Sequence, residues 1–301
     1  MNVLPIAFDS LGTRSMACFV ETRDVKILID PGVSLAPLRY GLEPHSIELE
    51  RLEEHWKKIV EFANQSEILI ITHYHYDHHN PWENLEIYKN KILLVKNPLE
   101  KINFNQKQRA SFFLEKIKEF PKNLEYCDGK SFKFGNTEIQ FSQPVFHGTS
   151  QKLGWVVEVF IKEGREKFVF TSDVEGPAIE NQVDFILENK PDFLIVDGPM
   201  TYMLGYRYSN ENLQLSIKNL VKIIEDVCPK TLLLEHHLLR DLKYKEKLTP
   251  VFEIGKELNV KVLTAAEFLE KPVEMLEARR KELYQKYPEV KKKVKLKVFE
   301  E

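Results

Sequence analysis

The sequence predicts a mixed α/β (α+β) protein with sheets whose outer faces are covered by helices. Three observations lead there. Short β-branched or apolar runs recur along the chain, the first of them crowd together at the N-terminus, and the later ones alternate with longer stretches of helical period. With 301 residues, 43% of them hydrophobic, the chain can bury a core for one large domain or two small ones.

Runs at residues 3–8, 16–21 and 25–30 are divided by short turns and read as antiparallel strands. Runs at 68–72, 92–96 and 139–142 follow, then a pair at 155–161 and 167–172 that the Glu163-Gly164 turn folds into a hairpin. The last runs are 193–197, 231–234 and 261–263. Helical period fills the intervals. Ser46 is placed to N-cap a helix in which Ile47, Leu52, Trp56, Ile59, Val60 and Ala63 share a face. Similar patterns cover 98–118, 177–188, 210–227 and 244–258. No repeat or composition break precedes residue 272, so 1–271 reads as one domain. Residues 272–301 read as an appendage: an exposed, charged helix over 273–287, then a loosely held Lys-rich tail from Lys291.

A net charge of −3 argues against a basic field for nucleic acid or membranes. The surface rich in Lys and Glu is of the kind thermophile proteins carry. Cys18, Cys127 and Cys228 lie far apart and form no CxxC pair, so reduced thiols are expected. The N-terminus lacks a signal-peptide pattern, and no apolar run approaches the ~18–20 residues that span a bilayer. A soluble, cytoplasmic protein without a membrane partner is expected, with room for a homo-oligomer.

The chemistry is concentrated where an apolar strand, Ile68, Leu69, Ile70, Ile71 and Thr72, runs into His73-Tyr74-His75-Tyr76-Asp77-His78-His79. His73 and His75 project to the same side on extended backbone. Asp77 and His78 follow where the chain must turn and can face a second point nearby. Imidazole with carboxylate suits zinc, and also iron or manganese. A histidine-rich surface loop that binds nothing is the bland alternative; the apolar strand leading into the motif argues against it.

The His-x-His-x-Asp-His motif after an apolar strand resembles the signature of the metallo-β-lactamase superfamily, and further landmarks appear in order over about residues 1–270. The likeness is to a prokaryotic, archaeal-type branch. It implies a four-layer αββα sandwich, two mixed sheets flanked by helices. It also implies two divalent metal ions, zinc first and manganese or iron next. One would sit on His73, His75 and His147, the other on Asp77, His78 and His236, with Asp173 between them. Asp30, ending VKILIDPG, matches the strand-end aspartate that supports the metal loop. Asp173 alone could be a turn former beside Gly176, but it ends a strand as the other candidates do. His236 is preferred to His237 because it is the first residue past its strand, which leaves His237 as core, supporting or substrate-facing. His79 is expected to donate to a carboxylate beyond the metal ligands or to be solvated, and His45 and His55 to be surface residues.

Departures from the family narrow the substrate. Asp rather than Cys at 173 argues against lactam cleavage. The span from His147 to Asp173 holds little more than two strands and a turn, without the tRNA-gripping arm of tRNA-processing relatives. The span from Asp173 to His236 is too short for the extra domain of the nucleic-acid-cleaving subgroup. A small-molecule substrate is expected rather than a large nucleic acid. Tyr202, Tyr206 and Arg207, on the loop after residue 197, and Arg240 are candidates for substrate contact; a loop that only packs on the domain and, for Arg240, a surface ion pair are the alternatives. In the expected reaction, a hydroxide bridging two ions ~3.5–4 Å apart attacks a small phosphodiester, with Asp77 and Asp173 as catalytic residues. A carboxylic ester, thioester or lactone substrate, or a non-catalytic metal-binding module, stand as alternatives.

Overall fold

A computed structural model describes residues 1–288; the tail expected from Lys291 lies outside the described residues. The first sheet has six strands in the order β1 (Asn2–Phe8), β2 (Met16–Glu21), β3 (Lys26–Ile29), β4 (Ile68–Ile71), β5 (Ile92–Val95) and β6 (Asn123–Tyr126). The hairpins β1–β2–β3 are antiparallel, and β3 to β6 run parallel. Continuing along the chain come β7 (Ser131–Phe134), β8 (Thr137–Phe141), β9 (Val145–Phe146), β10 (Trp155–Val156), β11 (Val159–Glu163) and β12 (Glu166–Phe170). β13 (Phe193–Asp197), β14 (Thr231–Glu235) and β15 (Lys261–Leu263) complete the strands. The second sheet has seven strands, ordered β15-β14-β13-β12-β11-β8-β7, and β9 pairs with β10 separately.

Buried side chains form three layers of core. Ile27, Ile29, Ile68, Ile70 and Leu94 from the first sheet meet Phe141, Val159, Phe168, Phe170 and Leu233 from the second. On the outer face of the first sheet, Leu28, Leu69, Ile71 and Leu93 pack against α1 (Ser46–Gln65) and α2 (Phe104–Ile117) through Ile59, Ala63, Ala110 and Phe113. On the outer face of the second, Val169, Leu194, Val196 and Leu234 pack against α3 (Asn181–Asn189) and α4 (Asn210–Val227). The central parallel strands, such as β4 (ILII), are runs of apolar residues because both of their faces are covered. The result is the four-layer αββα sandwich of the metallo-β-lactamase fold.

Several local expectations are corrected. Strands β6, β7 and β9 were not legible; β6 and β7 are half-exposed sheet edges with few apolar residues. The strand expected over 155–161 breaks into β10 and β11. The helix expected over 244–258 divides into α5 (Tyr244–Lys247) and α6 (Thr249–Glu257), where Pro250 opens the second piece. α1 is capped by His45, whose side chain accepts from Ile47 N while Glu48 accepts from His45 N, so Ser46 is already helical. After α7 (Ala265–Phe268), the segment 273–287 is helical only as α8 (Arg280–Lys286).

That last segment is not an exposed appendage. Met275, Leu276, Ala278 and Arg280 are buried, and Arg280 makes a bidentate pair with Glu48 at 2.8 Å to each oxygen. Arg14 and Glu277 form a second buried pair. Of the charges read as solvated, Glu277 and Arg280 are therefore matched partners inside the packing, whereas Arg279, Lys281, Glu282 and Lys286 are exposed. The same segment covers His45, which bonds Tyr287 O at 2.9 Å. His55 is also buried, 2.6 Å from Thr13 Oγ1, and burial pushes it down to about 3. Neither histidine is a surface residue.

Candidate metal centre

The loops that follow β3, β4, β12, β13 and β14 meet at the carboxyl ends of these strands, where open α/β sheets present their crevices. The chain bends sharply in these loops: Asp30 and His236, the first residues past β3 and β14, have φ of 50° and 57°, and Ser172 and Glu175, in the loop after β12, have φ of 58° and 50°. Such left-handed conformations cost a non-glycine residue roughly 1–3 kcal/mol and persist where surrounding contacts enforce them. Gly32 lets the loop after β3 pass directly against the metal-loop backbone, since a Cβ there would lie 2.2 Å from His79 N.

The structure brings His73, His75, His147 and Asp173 together, and Asp77, His78, Asp173 and His236 beside them, with the donor atoms in each group within 4.8 Å of one another. Asp173 belongs to both. Its Oδ2 lies 3.6 Å from His73 Nε2 and 3.3 Å from each of His147 Nε2 and His236 Nε2. Its Oδ1 lies 3.1 Å from His78 Nε2. Asp77 Oδ2 is 3.5 Å from His236 Nε2. All of these residues are buried except His75, which is half-buried. Tyr76 and Arg109 are half-buried too, with the guanidinium 4.6 Å from the ring centre.

Supporting groups hold the ring orientations. Asp30 accepts from Thr72 N at 2.8 Å and Thr72 Oγ1 at 2.6 Å, and lies 2.8 Å from His78 Nδ1. Ser172 Oγ and Thr72 Oγ1 stand 3.2 and 3.3 Å from His73 Nδ1. Asp9, at the end of β1, lies 2.7 Å from His236 Nδ1. His79 is neither solvated nor on a carboxylate; its Nδ1 donates to His75 O at 2.9 Å, and its ring packs on Phe113. His237 sits with Nδ1 2.9 Å from Asp197 Oδ2, and its Nε2 faces Glu175, which also approaches His147 Nδ1 at 3.5 Å. Asp9, Glu175 and Asp197 were passed over in the sequence. The available signal was an aspartate ending an apolar strand, which Asp9 and Asp197 share with Asp30.

Of the expected substrate contacts, Arg240 is buried, with Nε donating to Asp9 Oδ1 at 3.0 Å. It is not a surface ion pair. Tyr206 and Arg207 are exposed, and Tyr202 is half-buried under the Arg39 guanidinium at 4.6 Å.

The donor set fits a divalent transition metal. His73 Nε2, His78 Nε2, His147 Nε2 and Asp173 Oδ1 are buried without a hydrogen-bond partner and converge on shared points. Unpartnered buried polar atoms are rare and call for an explanation; coordination supplies one. Burial pushes His73 and His75 well below the usual imidazole value, which leaves them neutral as ligands must be. Burial would lower His78 too, but Asp173, Asp30 and Asp77 outweigh it and hold it at about 10, so the pocket favours positive charge. Burial alone would raise Asp173; His78, His236 and His73 instead hold it well below the carboxylate range.

A family model described as the Beta-lactamase superfamily domain matches residues 25–237, and the chain belongs to that family. Its place within the family is among the archaeal UPF0282 proteins. It is 57% identical over 288 residues to a UPF0282 protein of Korarchaeum cryptofilum, covering 96% of both chains. It is 51% identical to one of Metallosphaera sedula, over 94% of this chain and 93% of that one. Among solved structures, isothiocyanate hydrolase from Delia radicum gut bacteria superposes with a TM-score of 0.53 at 15% identity, over 84% of this chain and 94% of the other. That likeness is one of fold. Family and buried cluster together mark a metal-dependent hydrolase. No helix of the described residues is long and apolar enough to cross a membrane.

Proposed function

We propose that the protein is a hydrolase that uses two divalent metal ions to cleave small, anionic phosphodiester-type substrates. The observation that carries the reading is the sharing of Asp173 between two groups of His and Asp donors. His73, His75 and His147 would hold one ion, Asp77, His78 and His236 the other, and Asp173 would span both. Bound there, two such ions would bring a coordinated water's pKa toward neutrality and polarise the scissile group.

The chain's own residues do the rest. Asp30 and Asp9 fix the rings of His78 and His236 so that each Nε2 faces inward. Asp173 offsets repulsion between two cations by placing a negative charge between them. Substrate would approach over His75, the one half-buried member of the cluster. Arg109, stacked on Tyr76 and close enough to act on the charge of His75, would take the part that the sequence assigned to Arg207 and Arg240. A guanidinium suits a phosphate oxygen through paired, charge-assisted hydrogen bonds.

The burial of every other ligand favours a second reading, a metal-binding module without turnover. The zinc- or manganese-loaded protein should be assayed on aryl phosphodiesters, aryl esters, thioesters and lactones, beside Asp173→Ala. Phosphodiester turnover that disappears in Asp173→Ala with the fold intact is expected. Faster lactone or ester cleavage would move the assignment to a carboxylic ester hydrolase. Full metal loading with no turnover on any substrate would favour the binding module.

A further inference from the structure

We infer that Arg240 competes with a metal ion for the lone pair of His236, so that the two metal positions fill in order, the one on His73, His75 and His147 first. The inference rests on the two-metal reading and concerns how the second position is loaded.

The segment His236–Arg240 forms a tight 3-10 turn directly after β14. It brings the guanidinium of Arg240 back over the ring that begins the turn, and Arg240 NH2 lies 3.2 Å from His236 Nε2. An arginine nitrogen only donates, so Nε2 must accept with its lone pair, and the ring proton then sits on Nδ1. Asp9 matches both requirements. Its Oδ2 accepts from His236 Nδ1 at 2.7 Å, and its Oδ1 accepts from Arg240 Nε at 3.0 Å. Asp9 therefore clamps the histidine and the arginine in one geometry, with the arginine 1% exposed.

The lone pair that Arg240 occupies is the one His236 would give to a metal. A single lone pair cannot serve both. Arg240 is also a permanent positive charge whose NH2 lies 3.9 Å from Asp77 Oδ2, so it already balances part of the negative charge that would draw a second cation. The contrast with the first group is direct. His73 Nε2 and His147 Nε2 have no hydrogen-bond partner, and nothing must be displaced for them to bind. Loading the second position requires Arg240 to withdraw from His236; with that position empty, Arg240 supplies the compensating charge.

The test is a titration of the full-length, chelator-stripped protein with zinc against a competing chromophoric chelator, repeated with cobalt and followed by its visible spectrum. The wild type should bind in two steps whose affinities differ by at least tenfold. Arg240→Met should tighten the second step by tenfold or more and leave the first unchanged. Because that substitution strands Asp9, Asp9→Asn/Arg240→Met is measured alongside; removing a buried pair as a unit avoids an uncompensated charge. With Arg240 gone the amide oxygen is free to accept from His236 Nδ1, so a tightening is expected there too, smaller because the supporting carboxylate is lost. An unchanged or weakened second step in both variants would overturn the inference, because an arginine that merely braces Asp9 can only weaken the site when lost. Two equal steps in wild type and variants would overturn it while leaving the two-metal reading intact. Absence of metal binding in all three proteins would remove that reading and the inference with it.

Discussion

Replacing Asp30 by asparagine keeps the side-chain volume and changes which atoms can accept. The fixed donor at this site is Thr72 N, 2.8 Å from Asp30 Oδ1, so the oxygen of the introduced amide must take that position. The amide nitrogen then occupies the place of Oδ2, facing Thr72 Oγ1 and His78 Nδ1. The hydroxyl can rotate to accept. A neutral His78 that gives Nε2 to a metal keeps its proton on Nδ1; to accept at Nδ1 it must instead carry that proton on Nε2, the atom 3.1 Å from Asp173 Oδ1. His78 then has no lone pair for a metal. A hydrogen bond to a charged group contributes about 1.5–3 kcal/mol, and loss of such a supporting partner lowers metal affinity roughly 10–100-fold. The two ranges agree, since a tenfold change corresponds to about 1.4 kcal/mol. Chelator-competed zinc titration of Asp30→Asn should show a loss of this size in the step assigned to Asp77, His78 and His236, with the other step changed much less. Wild-type affinity in both steps would refute the tautomer argument.

Two further predictions concern stability. Arg280→Met strands Glu48 in a fully buried bidentate pair, and should cost about 3–5 kcal/mol by denaturant unfolding; an unchanged midpoint would mean that the segment 273–288 contributes little to the fold. Glu158 is buried with neither carboxyl oxygen hydrogen-bonded, and burial, then Asp184, holds its carboxyl well above its ordinary 4.5. The unfolded chain ionises first, so stability is full below that ordinary value and falls as pH rises toward the folded one. Glu158→Gln should match the parent near pH 4 and become progressively more stable than it at higher pH, whereas parallel curves would count against the buried, protonated carboxyl.

What was legible in the sequence followed from periodicity and strand ends. The strands with both faces covered, such as β4 and β13, are runs of apolar residues that can hardly be missed, and α4 spans the residues its pattern marked out. The grouping of His73, His75, His147, Asp173 and His236 was what the resemblance to the metallo-β-lactamase superfamily implied, and the strand ends supported it most clearly for His73, Asp173 and His236. The losses have one physical origin, long-range pairing. His45, Glu48 and Arg280 look like surface residues because their partners stand far away in the chain. Arg240 looked like a substrate ligand because nothing nearby in sequence shows that Asp9 waits for it across the fold. Glu175 has no apolar strand directly before it, and only the folded chain shows it facing His147 and His237.

The central claim is a pair of metal positions joined by Asp173, and anomalous scattering from a crystal of the zinc-saturated protein tests it most directly. The account predicts two peaks, one among His73, His75 and His147, the other among Asp77, His78 and His236, with the Asp173 carboxylate between them. One peak at saturating zinc, or peaks away from these side chains, would contradict it.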